Sequence, residues 1–197
     1  MKNRLTLGLS LSLVSWLGIC LLTESAEPKD IIRDKSPNGK FALRIAKDDM
    51  GGSAAIIGLK DNGELATLET YQNSTEEAHL VWSKDSQRVA YFEPDRRGGS
   101  TTAYFWGGSE FKEIELPEIP ECQVPPAKES DGYVKDIENI TRPVKWLPSG
   151  ELVLAVHKTR ITESGATGSC GETITITFDA KRKASVESVK EEKPAHE

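Results

Sequence analysis

The sequence predicts an all-β protein assembled from three short antiparallel sheets. A ten-residue phrase occurs three times with similar character: SPNGKFALRI (36–45), SKDSQRVAYF (83–92) and LPSGELVLAV (147–156). In each copy a turn of small or polar residues leads into an apolar run of strand length. Asp61-Asn62-Gly63 and Gly107-Gly108 add the turn signals that are typical of β-hairpins. Repetition, turn chemistry and short apolar runs therefore all favour an all-β fold.

Each copy of the phrase marks one strand, and its surroundings predict the others. Four antiparallel strands per copy give three units, at about 31–70, 78–116 and 141–180. In order along the chain, the predicted strands are 31–34, 41–45, 54–59 and 64–70, then 78–82, 89–92, 101–106 and 110–116, then 141–146, 152–156 and 173–178, with the fourth strand of the last unit possible in the tail that follows.

Two segments do not follow this plan. Residues 117–135 contain four prolines and no alternating pattern, which indicates a loop inserted between the second and third units. Residues 181–197 form a charged tail that has room for one last strand before KEEKPAHE, whose composition is typical of a disordered end. We expect a single all-β domain over residues 27–180.

The second copy, read from Trp82 as WSKDSQRVAY, resembles the phrase W-S-P-D-G-K-x-I-A-F of the WD40-like β-propeller repeat of TolB-type and tricorn-type proteins. The third copy keeps the tryptophan as Trp146, whereas the first has Lys35 in its place. The resemblance implies four-stranded blades, but propellers close with typically four to eight of them. Three units predict a partial propeller or a sandwich-like stack, or a homodimer that completes a six-bladed ring.

The first 26 residues predict export from the cytoplasm. Lys2 and Arg4 precede the uncharged run 5–22, and small residues follow, which is the layout of a secretory signal peptide. A retained membrane anchor is the alternative, but hydroxyl residues within the run favour removal, after which no membrane span is expected. Lipid attachment at Cys20 is disfavoured because Ile19 precedes it. We expect a secreted or periplasmic protein.

Charge and cysteine content narrow the possible partners and sites. The chain has a net charge of −6, and removal of residues 1–26 leaves −7, which argues against nucleic-acid binding. Cys122 and Cys170 are then the two remaining cysteines, and in an oxidising compartment we expect them to form a disulfide. A metal site and a catalytic thiol are the alternatives, but both lack companion residues at suitable spacing. We therefore predict no metal and no cofactor.

No known catalytic motif is present. Glu76-Glu77 beside His79 could act as an acid and base pair, but a polar pair that enters a strand, with His79 at its edge, is the stronger explanation. The strongest binding candidates are Arg96 and Arg97 on a glycine-rich turn, with Tyr104 and Trp106 following, because paired arginines beside aromatic rings suit anionic partners. A solvated hairpin tip is the competing interpretation.

Two classes of function remain open. The first is a secreted, non-enzymatic interaction module that presents loops of a rigid β-scaffold to another protein or an envelope component. The second is a hydrolase-like or carbohydrate-processing enzyme on the same scaffold, which would need convergent carboxylates or a histidine brought together by the fold. The absence of a recognisable constellation in the sequence favours the module.

Overall fold

The computed structural model describes residues 30–48, 51–71, 75–126 and 132–192. These ranges contain strands and no helix, and thus nothing helical that could cross a bilayer. Unit 1 consists of β1 (Ile31–Arg33), β2 (Phe41–Asp48), β3 (Gly51–Gly58) and β4 (Glu64–Leu68). Unit 2 consists of β5 (His79–Trp82), β6 (Arg88–Asp95), β7 (Gly98–Trp106) and β8 (Phe111–Ile114). Unit 3 consists of β9 (Tyr133–Trp146), β10 (Leu152–Thr162), β11 (Thr167–Phe178) and β12 (Ala184–Glu191).

Each unit is an antiparallel meander in which consecutive strands are neighbours. The predicted all-β, antiparallel fold class is confirmed. The predicted signal peptide at 1–26, with Cys20, lies outside the described residues. Unit 3 is longer than the sequence pattern indicated: β9 begins at Tyr133, inside the segment assigned to the insertion, and β12 lies in the charged tail. Both extensions are rich in charged residues, so their strand character is not visible from apolar alternation.

Units 2 and 3 are joined into one eight-stranded sheet by a short parallel pairing of β7 with β9, where Gly98 and Gly99 face Asn139 and Ile140. Gly98 and Gly99 have φ of 147° and 143°, in a region that side-chain-bearing residues avoid. A Cβ at Gly98 would overlap the Asn139 carbonyl, and one at Gly99 would lie 2.7 Å from the Phe92 ring. The glycines of this turn therefore allow β9 to approach β7 closely.

The three units pack face to face around two cores. One core lies between units 1 and 2 and includes Leu43, Ile56 and Tyr91, each at most 1% exposed. The other lies between units 2 and 3 and includes Ala90, Leu154 and Ile174, each fully buried. Neighbouring residues of β6, such as Ala90 and Tyr91, point to opposite cores because side chains alternate along a strand. Unit 2 is thus the central layer of a three-layer stack.

The repeated phrase forms the same turn in each unit. A backbone hydrogen bond of 2.9 to 3.0 Å closes each turn. The amide N–H groups of Gly39, Ser86 and Gly150 donate to the carbonyls of Ser36, Ser83 and Leu147, respectively. The fourth and last turn residue has a positive φ in every copy: 68° at Gly39, 59° at Ser86 and 113° at Gly150. Turns of neighbouring units also contact each other. The Asn38 amide donates to Ser86 Oγ at 3.1 Å, and the Arg88 guanidinium donates to the Gly150 carbonyl at 2.7 Å.

Two tryptophans of the repeat connect each unit to the one before it. Trp82 donates its indole N–H to the Asp34 carbonyl at 2.7 Å, and Trp146 donates to the Val81 carbonyl at 3.0 Å. The acceptors occupy matching positions in the preceding units. Val81 directly precedes Trp82, and Asp34 directly precedes Lys35, the residue of unit 1 that corresponds to Trp82. Unit 1 has Lys35 at that position and no preceding unit within the described chain. The tryptophan therefore serves the contact between units rather than the unit itself.

The outer faces of the stack are polar. On unit 1, Arg44 reaches across β3 to Glu64 at 2.9 Å and lies over Ala55 and Ile57, which are 3% and 0% exposed. On unit 3, the strand neighbours of the inward Leu154 and Ile174 point outward, and this face carries Lys145, Thr173, Thr175, Ser188 and Lys190 beside the apolar Val153 and Ala155. Large apolar side chains also occur on these faces: Ile57 and the 43% exposed Ile32 on unit 1, and Val153 on unit 3.

Candidate binding cleft

An open cleft of about 600 Å³ lies where the outer edges of units 2 and 3 meet. One wall is β8 with the chain that follows it, residues 112–118, and the other is the turn between β11 and β12, residues 181–184. Concave sites of this size between packed layers are common places for ligands.

The turn wall carries three consecutive cations, Lys181, Arg182 and Lys183. The Asp179 carboxylate accepts the amide N–H groups of Lys181 and Lys183, both at 2.8 Å, and Arg182 has a φ of 66°. The Arg182 guanidinium donates to the Trp106 carbonyl at 3.2 Å and lies 5.6 Å from the Phe105 ring centre. Across the described part of the chain, none of these three cations has a carboxylate within 4.0 Å. Asp179 and Arg182 therefore fix the shape of this wall, whereas no described carboxylate neutralises its three positive charges.

The opposite wall is a sheet edge. β8 pairs only with β7 among the described strands, so its other edge has backbone groups without a strand partner. Glu113, Glu115 and Glu118 add negative charge along this wall. Lys112 is paired with Glu110 at 3.4 Å, but in the described ranges no ion pair crosses the cleft. The two walls thus have opposite charge and remain apart.

Residues 115–126, which we call the strap, continue from β8 over the inner face of unit 3. Leu116 and Ile119 pack against the core between units 2 and 3. Cys122 is bonded to Cys170 of β11, with a Cα separation of 6.0 Å, as the sequence predicted, and Cys122 is 4% exposed. The disulfide ties the end of the cleft wall to the sheet that supports the other wall.

An ion-pair group lies beside the disulfide. Lys158 lies 3.8 Å from Glu121 of the strap and 3.2 Å from Asp136, and Arg160 donates to Asp136 at 2.9 Å. Burial acts to raise the pKa of Asp136, but the hydrogen bonds and charges of Lys158 and Arg160 outweigh it and hold that pKa below its usual value. Charge pairing and the covalent bond therefore hold the same segment of the strap.

The structure separates the residues that the sequence grouped as a binding site. Arg96 and Arg97 are exposed at the tip between β6 and β7. Tyr104 is 5% exposed within the core between units 1 and 2, and Trp106 packs there 5.0 Å from Phe41. They lie at the far end of a nine-residue strand, roughly 20–25 Å from the tip at about 3.3 Å per residue. The two arginines stay a candidate by themselves, without the aromatic rings.

His79 contacts a backbone carbonyl and an aromatic ring. Its Nδ1 atom contacts the Glu77 backbone carbonyl at 2.9 Å rather than a carboxylate, and its ring lies 5.2 Å from that of Phe92. In the ranges that the structure describes, no three His, Cys, Asp or Glu side chains gather as a metal-binding group.

Sequence reasoning did not find the cleft. Its basic wall lies in the segment 181–183, which reads as part of a charged tail, and its other wall is split between β8 and the start of the proline-rich segment. A recoverable signal was the alternation D-x-K-x-K at 179–183, because an Asp that accepts two amides is typical of a tight turn. Such a turn predicts a further strand after it.

Comparisons with known proteins place few constraints on this chain. No protein-family model matches it, and no curated protein matches it. Among solved structures, TolB from Acinetobacter baumannii matches with a TM-score of 0.33 and 8% sequence identity, over 82% of this chain. The chain spans about two fifths of that TolB chain (41%). A likeness of this degree does not establish a shared fold or function, so membership of the β-propeller repeat family stays a prediction.

Proposed function

We propose that the protein is a non-enzymatic interaction module that binds an extended, acidic peptide segment of another protein in the cleft between β8 and the 181–183 turn. The observation that carries this proposal is the pairing of an unpartnered strand edge with three uncompensated cations across about 600 Å³ of open space. The disulfide is compatible with an extracellular or periplasmic location, where such a partner would be another exported protein or an envelope component.

The two walls suit different parts of such a ligand. A peptide strand laid beside β8 would exchange main-chain hydrogen bonds with its free edge, which is the β-augmentation mode of recognition. Its side chains alternate in direction, so every second residue points toward the turn wall. Carboxylates at those positions would face Lys181 and Lys183. The glutamates of the other wall disfavour acidic side chains on the opposite face of the ligand and hence set its orientation.

The test uses a fluorescein-labelled ten-residue peptide in which Glu and Thr alternate, with fluorescence anisotropy as the measurement. We expect saturable binding by the native protein that weakens with added salt, because partly exposed charge pairs are screened. A peptide of the same length in which Lys replaces Glu is the matched ligand control and is expected to bind at least ten-fold more weakly.

The double variant Lys181→Glu/Lys183→Glu reverses the exposed charges of the turn wall and leaves Arg182 in place. We expect a loss of at least ten-fold in affinity for the Glu-Thr peptide. Lys40→Glu/Lys84→Glu changes the net charge equally at exposed turns outside the cleft and controls for long-range electrostatics. Equal affinity of the two double variants would contradict the proposed location, and no binding of the Glu-Thr peptide by the native protein would contradict the proposed function.

A further inference from the structure

We infer that the Cys122–Cys170 disulfide controls the cleft, so that reducing it loosens the 115–118 wall and weakens peptide binding. This inference rests on the proposed function for its binding readout. It concerns a property of the wall itself, namely which bonds hold it in place.

The wall is suspended between two anchors. At one end, β8 is fixed to β7 through the register of Ile114 with Ala103. At the other end, eight residues after Ile114, Cys122 is bonded to Cys170 of β11. Within the described residues, no backbone–backbone hydrogen bond holds residues 115–126 to any strand. Apolar packing of Leu116 and Ile119 and the Glu121–Lys158 pair are further contacts of the strap.

These other contacts are weaker than the covalent bond. Lys158 is 13% exposed but Glu121 is 78% exposed, and a pair with one exposed partner contributes little stability. Once the disulfide is broken, the next described anchor of the strap is the start of β9 at Tyr133. The number of residues between Ile114 and the next described anchor then rises from about eight, at Cys122, to about 19, at Tyr133. By the loop-closure relation, the probability that the wall holds one position falls by about four-fold.

The chemical step is a thiol–disulfide exchange with a dithiol reductant. Its thiolate attacks one sulfur, and the sulfur of Cys170 is the more accessible because Cys122 is almost fully buried. The S–S bond breaks, Cys122 leaves as a thiolate that takes up a proton, and a mixed disulfide forms at Cys170. The second thiol of the reductant then displaces Cys170, which gives two cysteine thiols and an oxidised cyclic dithiol.

The experiment compares the native protein before and after dithiol reduction, and the double variant Cys122→Ser/Cys170→Ser, in two measurements. The first is hydrogen exchange of residues 115–118 without peptide, which we expect to accelerate in the reduced and variant proteins. The second is anisotropy with the Glu-Thr peptide, for which we expect about a four-fold weaker affinity. Val89→Ala, which creates a cavity in the core between units 1 and 2, controls for general destabilisation and is expected to leave both measurements unchanged.

The outcomes separate this inference from the proposed function. Unchanged exchange and unchanged affinity after reduction would overturn the inference while the peptide still binds. Faster exchange without any peptide binding by the oxidised protein would overturn the proposed function and leave control of the wall by the disulfide standing. If the double serine variant does not fold, reduction of the folded native protein provides the same comparison.

Discussion

The indole hydrogen bonds between units give the sharpest test of the repeat architecture. Trp146→Phe keeps an aromatic ring in the core but removes the donor to the Val81 carbonyl. The lost hydrogen bond is worth about 1 kcal/mol, and a carbonyl left without a partner costs about 1–3 kcal/mol when it is buried. The smaller ring also costs packing energy, so the hydrogen-bond contribution has to be isolated with a control.

Trp106→Phe supplies that control. Trp106 packs in a comparable aromatic group, 5.0 Å from both Phe41 and Phe111, but in the described structure its indole N–H has no hydrogen-bond partner. We expect Trp146→Phe to lower the free energy of unfolding by about 1–3 kcal/mol more than Trp106→Phe. Trp82→Phe, which loses the donor to Asp34, is expected to behave like Trp146→Phe.

The assay is urea unfolding of the oxidised protein followed by far-ultraviolet circular dichroism, because the substitutions change the fluorescence signal. The slope of the unfolding free energy against urea must stay the same for the differences to be compared. If Trp82→Phe and Trp146→Phe cost no more than Trp106→Phe, the hydrogen bonds add no stability. The explanation for why units 2 and 3 carry this tryptophan and unit 1 does not would then be refuted.

Three further predictions follow from the fold. Gly99→Ala is expected to cost about 3 kcal/mol or more through its φ of 143° and overlap with neighbouring atoms, whereas Gly108→Ala, with a φ of 100° and open space around it, costs about 1–2 kcal/mol in urea unfolding. Asp136 has a lowered pKa in the folded state, so its stabilising contribution is present above its unfolded value of about 3.9 and is lost as the pH falls through the folded value. The stability difference between the native protein and Asp136→Asn should therefore shrink on acidification, and a constant difference from pH 7 to pH 2 would contradict this. Light scattering at micromolar concentration is expected to give a monomer because the outer sheet faces are polar, and a stable dimer would contradict this.

The sequence predicted the fold class and the repeated turn because both depend on local chemistry. The turn at Ser83–Ser86 is closed by its own residues, and a phrase that repeats its turn residues repeats its geometry. The pairing of Cys122 with Cys170 was predictable for a similar reason, since two cysteines in an oxidising compartment leave one intramolecular partner each. These features need no knowledge of distant contacts.

The features that the sequence did not predict depend on contacts between distant elements. The parallel joint at Gly98 and Gly99 requires β9, about 40 residues later, to come beside β7. The glycines were visible, but a close approach and a flexible tip have the same sequence signature. The cleft likewise arises where residues 112–118 meet residues 181–184, and neither segment has a ligand-binding pattern by itself. Tyr104 and Trp106 were misleading because aromatic residues suit a core and a binding surface equally well.

The polar outer faces explain how three units can be sufficient. A closed ring buries both faces of every sheet, whereas an open stack must leave two faces in water, as terminal repeats of other repeat proteins do with polar caps. In unit 1 the Arg44–Glu64 pair covers the buried Ala55 and Ile57, and in unit 3 threonines and lysines alternate with the core residues of the same strands. Closing a ring by dimerisation would bury Lys145 and Lys190 of unit 3 against the outer face of unit 1, where the carboxylates of Asp30 and Glu64 are already paired with Arg44 at 3.9 and 2.9 Å. The stack therefore ends by exposing polar sheet faces, and the unpartnered edge of β8 is left as the surface at which another chain can add a strand.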